Sequence, residues 1–143
     1  MGRVTVGRAL LTLTALYGGV GPFVADWGRS HLHNQAWTPH ARFHDAQTMS
    51  LGAALGAVAL AAVWAPGRWT TTRLRLAAGA ASLYCATRLS ASAFPGVALA
   101  DPPAHPGRVG PQTLLAVAVL ALNGVALLLE RRQVTTGGTA AAR

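Results

Sequence analysis

Four of the five histidines and two of the four acids of this chain fall between Asp26 and Asp45. Carboxylates and imidazoles exchange protons near neutral pH, and imidazoles also bind transition metals. Thr38-Pro39 reads as a helix start, with Thr as the N-cap and Pro in the first helical position. On that helix His40 and His44 are four apart and share a face with Gln47 and Leu51. His-x-x-x-His is a metal-ligand spacing, and His31 and His33 could add nitrogens and Asp26 a carboxylate. The acid of a His-Glu-x-x-His motif is missing, as are the many histidines of membrane di-iron hydroxylases. Histidines at a membrane boundary also serve simply by hydrogen-bonding backbone and lipid headgroups. Metal binding, acid–base work and a structural role all stay open on these residues.

Asp45 turns about 100° away from His44, toward the side of Gly52 and Gly56. Those two glycines form a G-x-x-x-G match, which lets helices approach closely or offers a surface for a homo-oligomer. An acid there has two fates. Unpaired, it stays protonated and can donate; paired with Arg88, it stays ionised and serves structure. Arg88 lies about 9 Å below the outer end of its span at 1.5 Å per residue. Pairing with Asp26, Asp45 or Asp101 is the favoured expectation for it. Tyr84 is on its face, four residues earlier. Trp27, Asn34, Trp37 and Gln47 complete a candidate substrate-binding set with Arg88 and Tyr84. Asp26, Asp45, His40 and His44 are the catalytic candidates.

Four elements must position these groups. Charged residues make up only 11% of the chain and hydrophobic ones 52%, against about 25% charged in soluble domains. Spanning a bilayer takes roughly 20 apolar residues. Four stretches qualify, at about 6–25, 39–64, 74–94 and 112–129. They predict an all-α fold, an integral membrane four-helix bundle occupying residues 1–130, with 131–143 as a flexible tail. Pro66-Gly67, Pro95-Gly96 and Pro102-Pro103 break the runs. The third loop, with Asp101 and His105, is expected to cap the bundle, and Asn123 to hydrogen-bond across helices. The first run reads as a span rather than a cleaved leader, because Phe23 stands where a cleavage site prefers a small residue. Cys85 is the only cysteine, which excludes an internal disulfide and reads as a small buried hydrophobe.

Arginine distribution gives an orientation. The N-terminus, second loop and C-terminal tail hold Arg3, Arg8, Arg68, Arg73, Arg75, Arg131, Arg132 and Arg143; the other side has Arg29, Arg42 and Arg108. This favours a multi-pass protein of the cell membrane with both termini in the cytoplasm. The arginines sit between apolar runs rather than on one face interleaved with aromatics, so nucleic acid is not an expected partner. The bilayer and a small apolar substrate are.

Gly21-Pro22-Phe23-Val24-Ala25-Asp26-Trp27, followed by Trp37-x-Pro39-His40-Ala41-Arg42-Phe43-His44-Asp45-Ala46-Gln47-Thr48-Met49-Ser50, resembles a family of small four-span membrane proteins of fungi and bacteria. Phe94-Pro95-Gly96 with Asp101-Pro102 looks like a second matching block. The resemblance reaches to about Leu129 and departs at Gln35, where proline is more familiar, and at Ala104, where an acid is. It implies a four-helix membrane fold and no reaction.

The functional expectation is an enzyme doing acid–base chemistry, isomerisation or proton-initiated cyclisation, on a lipid-like or isoprenoid substrate without a cofactor. No serine triad motif, phosphate-binding glycine loop or Asp-rich diphosphate motif is present. One alternative is a protein or oxidoreductase holding a divalent transition metal through His31, His33, His40 and His44. Another is a non-catalytic membrane subunit or small-molecule carrier.

Overall fold

Three threonines start three of the helices. Thr5, Thr38 and Thr70 each hold extended backbone, and each side-chain hydroxyl accepts from the amide three residues on. This satisfies one of the amides that a helix leaves open at its start. The computed structural model describes the backbone over residues 4–98 and 110–139, with side chains up to 134. It contains α1 (Val6–Asp26), α2 (Pro39–Trp64), α3 (Thr71–Ala91) and α4 (Pro111–Thr139). The expected starts at 6 and 39 are met. The third helix runs three residues earlier than expected at both ends, because Thr70 caps it ahead of Leu74. The fourth continues past Leu129 to Thr139. Asp101, His105 and the proposed cap lie outside the described residues.

The helices form an up-and-down ring in which α1 touches all three others, while α2 and α4 do not meet among the described residues. Three helices, α1, α2 and α4, are long and apolar enough to cross a bilayer. The third, with Arg73, Arg75 and Arg88, is not among them.

Residue sizes are distributed for lipid rather than water. The interior is built largely from small side chains such as Ala15, Ala59, Ala77 and Ala116, whereas Leu13, Val24, Leu114 and Leu128 point outward. Small interior residues let helix axes approach closely. Polar groups are also inside. Thr14 donates to Asn123 Oδ1 at 2.6 Å, and Asn123 Nδ2 donates to Ser82 at 3.0 Å. One buried amide thus ties α1, α3 and α4, the cross-helix role expected of it. Replacing Asn123 by alanine is expected to lower stability in detergent by about 1 kcal/mol, read by reversible denaturant unfolding. An unchanged midpoint would remove this triad from the account.

The contact between α1 and α2 is the tightest. Pro22 has no amide hydrogen to return to the Gly18 carbonyl one turn earlier. That oxygen lies against Gly52, where an added methyl carbon would sit 2.6 Å away. At Gly56 the same carbon would meet Ala15 O at 2.8 Å and Gly19 Cα at 3.0 Å. Gly52 and Gly56 are therefore occupied within the chain, which corrects their assignment to a homo-oligomer. The expected turn of Asp45 toward this helix contact fits the same face.

Candidate functional site

Asp26 ends α1, Asp45 lies near the start of α2, and His31 stands in the connection between the two helices. Helix α1 ends at Asp26, and the chain then makes tight turns in which Leu32 N donates to Asp26 O and His31 N and His33 N both donate to Gly28 O. This folds His31 back, so that its Nε2 stands 3.7 Å from Asp26 Oδ1. Trp37 meets the His31 ring edge-on at 5.4 Å between centroids. Asp45 is half-buried and feels the charges of both Asp26 and His31. Its Oδ2 is buried with no hydrogen-bond partner among the described residues, as are the Nε atoms of Arg42 and Arg88. Tyr84 lies beneath, its ring against Gly52.

Arg88 corrects an expectation. It donates through Nη2 to Gln112 at 2.7 Å rather than pairing with a described acid. Gln112, at the start of α4, is within reach because Arg88 stands in the last turn of α3, where the chain begins to cross back.

The remaining candidates separate from this cluster. His40 and His44 are exposed on the flank of α2, with their Nε2 atoms 3.0 Å apart, and His44 Nδ1 is 3.2 Å from Gln47 Oε1. An open groove of about 580 Å³ runs below them along α2, lined by His44, Gln47, Thr48, Ser50 and Leu51. His33 instead meets Trp27 edge-on at 6.0 Å, and Trp27 stacks on Phe23. The four histidines do not converge, and among the described residues no three His, Cys, Asp or Glu side chains form a group able to hold a metal. Asn34 organises the loop, accepting from Ala36 N at 2.9 Å and donating to Ser30 O at 3.2 Å. His31, placed above in the alternative metal set and not among the catalytic candidates, is the imidazole beside Asp26.

Sequence reasoning missed a second polar centre at the opposite end. Glu130, 1% exposed, accepts from the Thr5 hydroxyl through Oε1 and from Trp69 Nε1 at 2.8 Å through Oε2. The buried Arg8 guanidinium donates to Val63 O and stands 4.6 Å from the Trp64 ring centroid and 5.1 Å from that of Trp69. It also lies in the field of Glu130. Arg73 Nε and Nη2 close the C-terminal end of α2, donating to Ala62 O at 2.9 Å and Ala65 O at 2.6 Å. Helix ends leave such carbonyls open, and a cation suits them. The sequence signals were Arg8 just inside an apolar run, a lone acid after Leu127-Leu128-Leu129, and tryptophans on both sides of Pro66-Gly67.

Helices with lipid-sized side chains outside and polar clusters at both ends define a small helical bundle whose apolar helices point to a bilayer as its environment. The chain belongs to a family of unknown function, DUF6640, which it matches over residues 10–143. No curated protein and no solved structure matches it.

Proposed function

We propose that this is a membrane-embedded acid–base catalyst acting on a lipid-like substrate of the isoprenoid class. The observation that carries the reading is the buried Asp45 oxygen, without a partner among the described residues and within the field of the Asp26–His31 pair. Buried polar atoms are nearly always satisfied, so an orphan at a cluster of ionisable groups favours a ligand there. In its neutral form Asp45 gives a proton to one carbon of a double bond. The Asp26–His31 pair takes one from the neighbouring carbon, the double bond moves, and the proton count is unchanged. Cyclisation begins with the same donation. Tyr84 and Arg88 bound the site from α3. The protein sits in the cell membrane as four spans, with α3 carried across by its packing on the other three helices. Both termini face the cytoplasm by the arginine bias.

The test is deuterium uptake. Purified protein in vesicles is incubated in D2O with isoprenoid lipids extracted from the expression host, and the lipids are weighed by mass spectrometry. Label should appear at carbon with the native chain and fall at least a hundredfold with Asp45→Asn, within the range that a general acid contributes. No label with the native chain, or equal label with a folded Asp45→Asn variant, overturns the reading. Equal label together with lowered stability would favour the non-catalytic subunit.

A second reading rests on the converging Nε2 atoms of His40 and His44. With Gln47 orienting His44 through Nδ1, the pair supplies two of the four ligands of a tetrahedral zinc-type ion. Elemental analysis of protein purified without chelator, beside a His40→Ala/His44→Ala variant, decides it: metal near one per chain and lost in the variant supports the pair.

A further inference from the structure

A second groove, of about 530 Å³, lies between α3 and α4 at the end that carries Arg8 and Glu130. It is lined by Thr71, Leu74, Arg75, Gly124, Leu127, Leu128 and Arg131. The composition is graded. Arg75, Arg131 and the Thr71 hydroxyl mark the helix ends, whereas Gly124 and the leucines lie further in. From Arg131 to Gly124 is about 10 Å along the helix at 1.5 Å per residue. Among the described residues no acid lines the groove. Its floor is open because Gly124 has no side chain, and a methyl added there would meet nothing within 4 Å.

We propose that this groove binds an anionic phospholipid, its phosphate between Arg75 and Arg131 and one acyl chain along Gly124, Leu127 and Leu128. Charge complementarity selects the occupant. Two guanidiniums at headgroup level suit a phosphate, which arginine holds with paired hydrogen bonds. The leucines below suit a chain and not a water-soluble anion. Basic pockets between membrane helices recognise anionic headgroups by the same physics. The groove is at the opposite end from the Asp26–Asp45 cluster, and the proposal is independent of any reaction there.

The experiment is native mass spectrometry of the full chain released from nanodiscs of phosphatidylglycerol mixed with phosphatidylcholine. Wild type should keep one phosphatidylglycerol in preference to phosphatidylcholine. Arg75→Gln/Arg131→Gln should weaken that retention roughly thirtyfold, since each basic residue at an anionic surface contributes about fivefold. Arg68→Gln/Arg132→Gln removes the same charge outside the groove and should change retention far less. Gly124→Leu fills the floor without touching either arginine and should also lower retention. Equal losses in the two arginine pairs, or full retention with Gly124→Leu in a folded protein, would reduce the effect to general surface charge and overturn the groove. Equal retention of the two lipids by wild type would overturn it as well.

Discussion

Replacing Glu130 by alanine is expected to cost about 3–5 kcal/mol of stability, the range for removing one partner from a buried charged network. The carboxylate is 1% exposed and takes a hydroxyl from α1 and an indole from the α2–α3 connection. Its loss leaves the Thr5 and Trp69 donors without an acceptor, and the buried Arg8 without the charge that offsets its own. The two tryptophans beside Arg8 compensate only partly, since a cation–π contact contributes about 0.5–2 kcal/mol. Denaturant unfolding in detergent measures the loss. Removing the cation as well separates charge from packing: Arg8→Leu/Glu130→Leu should lose less than the sum of its single variants, with a coupling of about 1–3 kcal/mol. Strict additivity would show that the two residues do not act on each other.

The second large effect belongs to the α1–α2 contact. Alanine at Gly52 or Gly56 is expected to cost about 1–3 kcal/mol each, the usual range for overpacking. The obstacles are a carbonyl oxygen at 2.6 Å from the added carbon in one case and at 2.8 Å in the other. Both belong to the α1 backbone, which cannot turn aside as a side chain can, so the helices must separate. Gly79 is the control. An added methyl there meets nothing within 4 Å, and Gly79→Ala should be neutral or gain roughly 0.5–1 kcal/mol from helix propensity. Melting curves of the three variants decide the matter. If Gly56→Ala proved as harmless as Gly79→Ala, the close approach would be wrong. Self-association should not respond to Gly52→Ala or Gly56→Ala, because that face is covered within the chain.

What could be read from the sequence follows from the range of the interactions. The helix start at Pro39 was legible because Thr38-Pro39 is a local signal, complete within four residues, and the start at Val6 because an apolar run begins there. The start of α3 was not, because its arginines mask the apolar pattern. G-x-x-x-G announced a close contact but not its partner, which depends on Pro22 and Gly18 in another helix. The cluster between α1 and α2 was located by composition, yet which imidazole meets Asp26 was decided by the turn at Gly28. That turn brings His31 back to Asp26 and leaves His40 and His44 on the flank of α2. Arg88 was assigned to an acid by charge alone, whereas among the described residues proximity gave it to Gln112, and Asp101 lies outside them. The centre around Glu130 was least legible, since Thr5 and Glu130 are 125 positions apart.

That separation bears on how the protein is made. Helix α1, carrying Arg8, is synthesised before α4, which brings its countercharge Glu130. Until then the nascent chain holds a cation in a span, with Val63 and the two tryptophans as partial company once α2 and its loop have followed. A chain cut before α4 therefore lacks the one carboxylate that receives the Thr5 hydroxyl and the Trp69 indole and offsets Arg8.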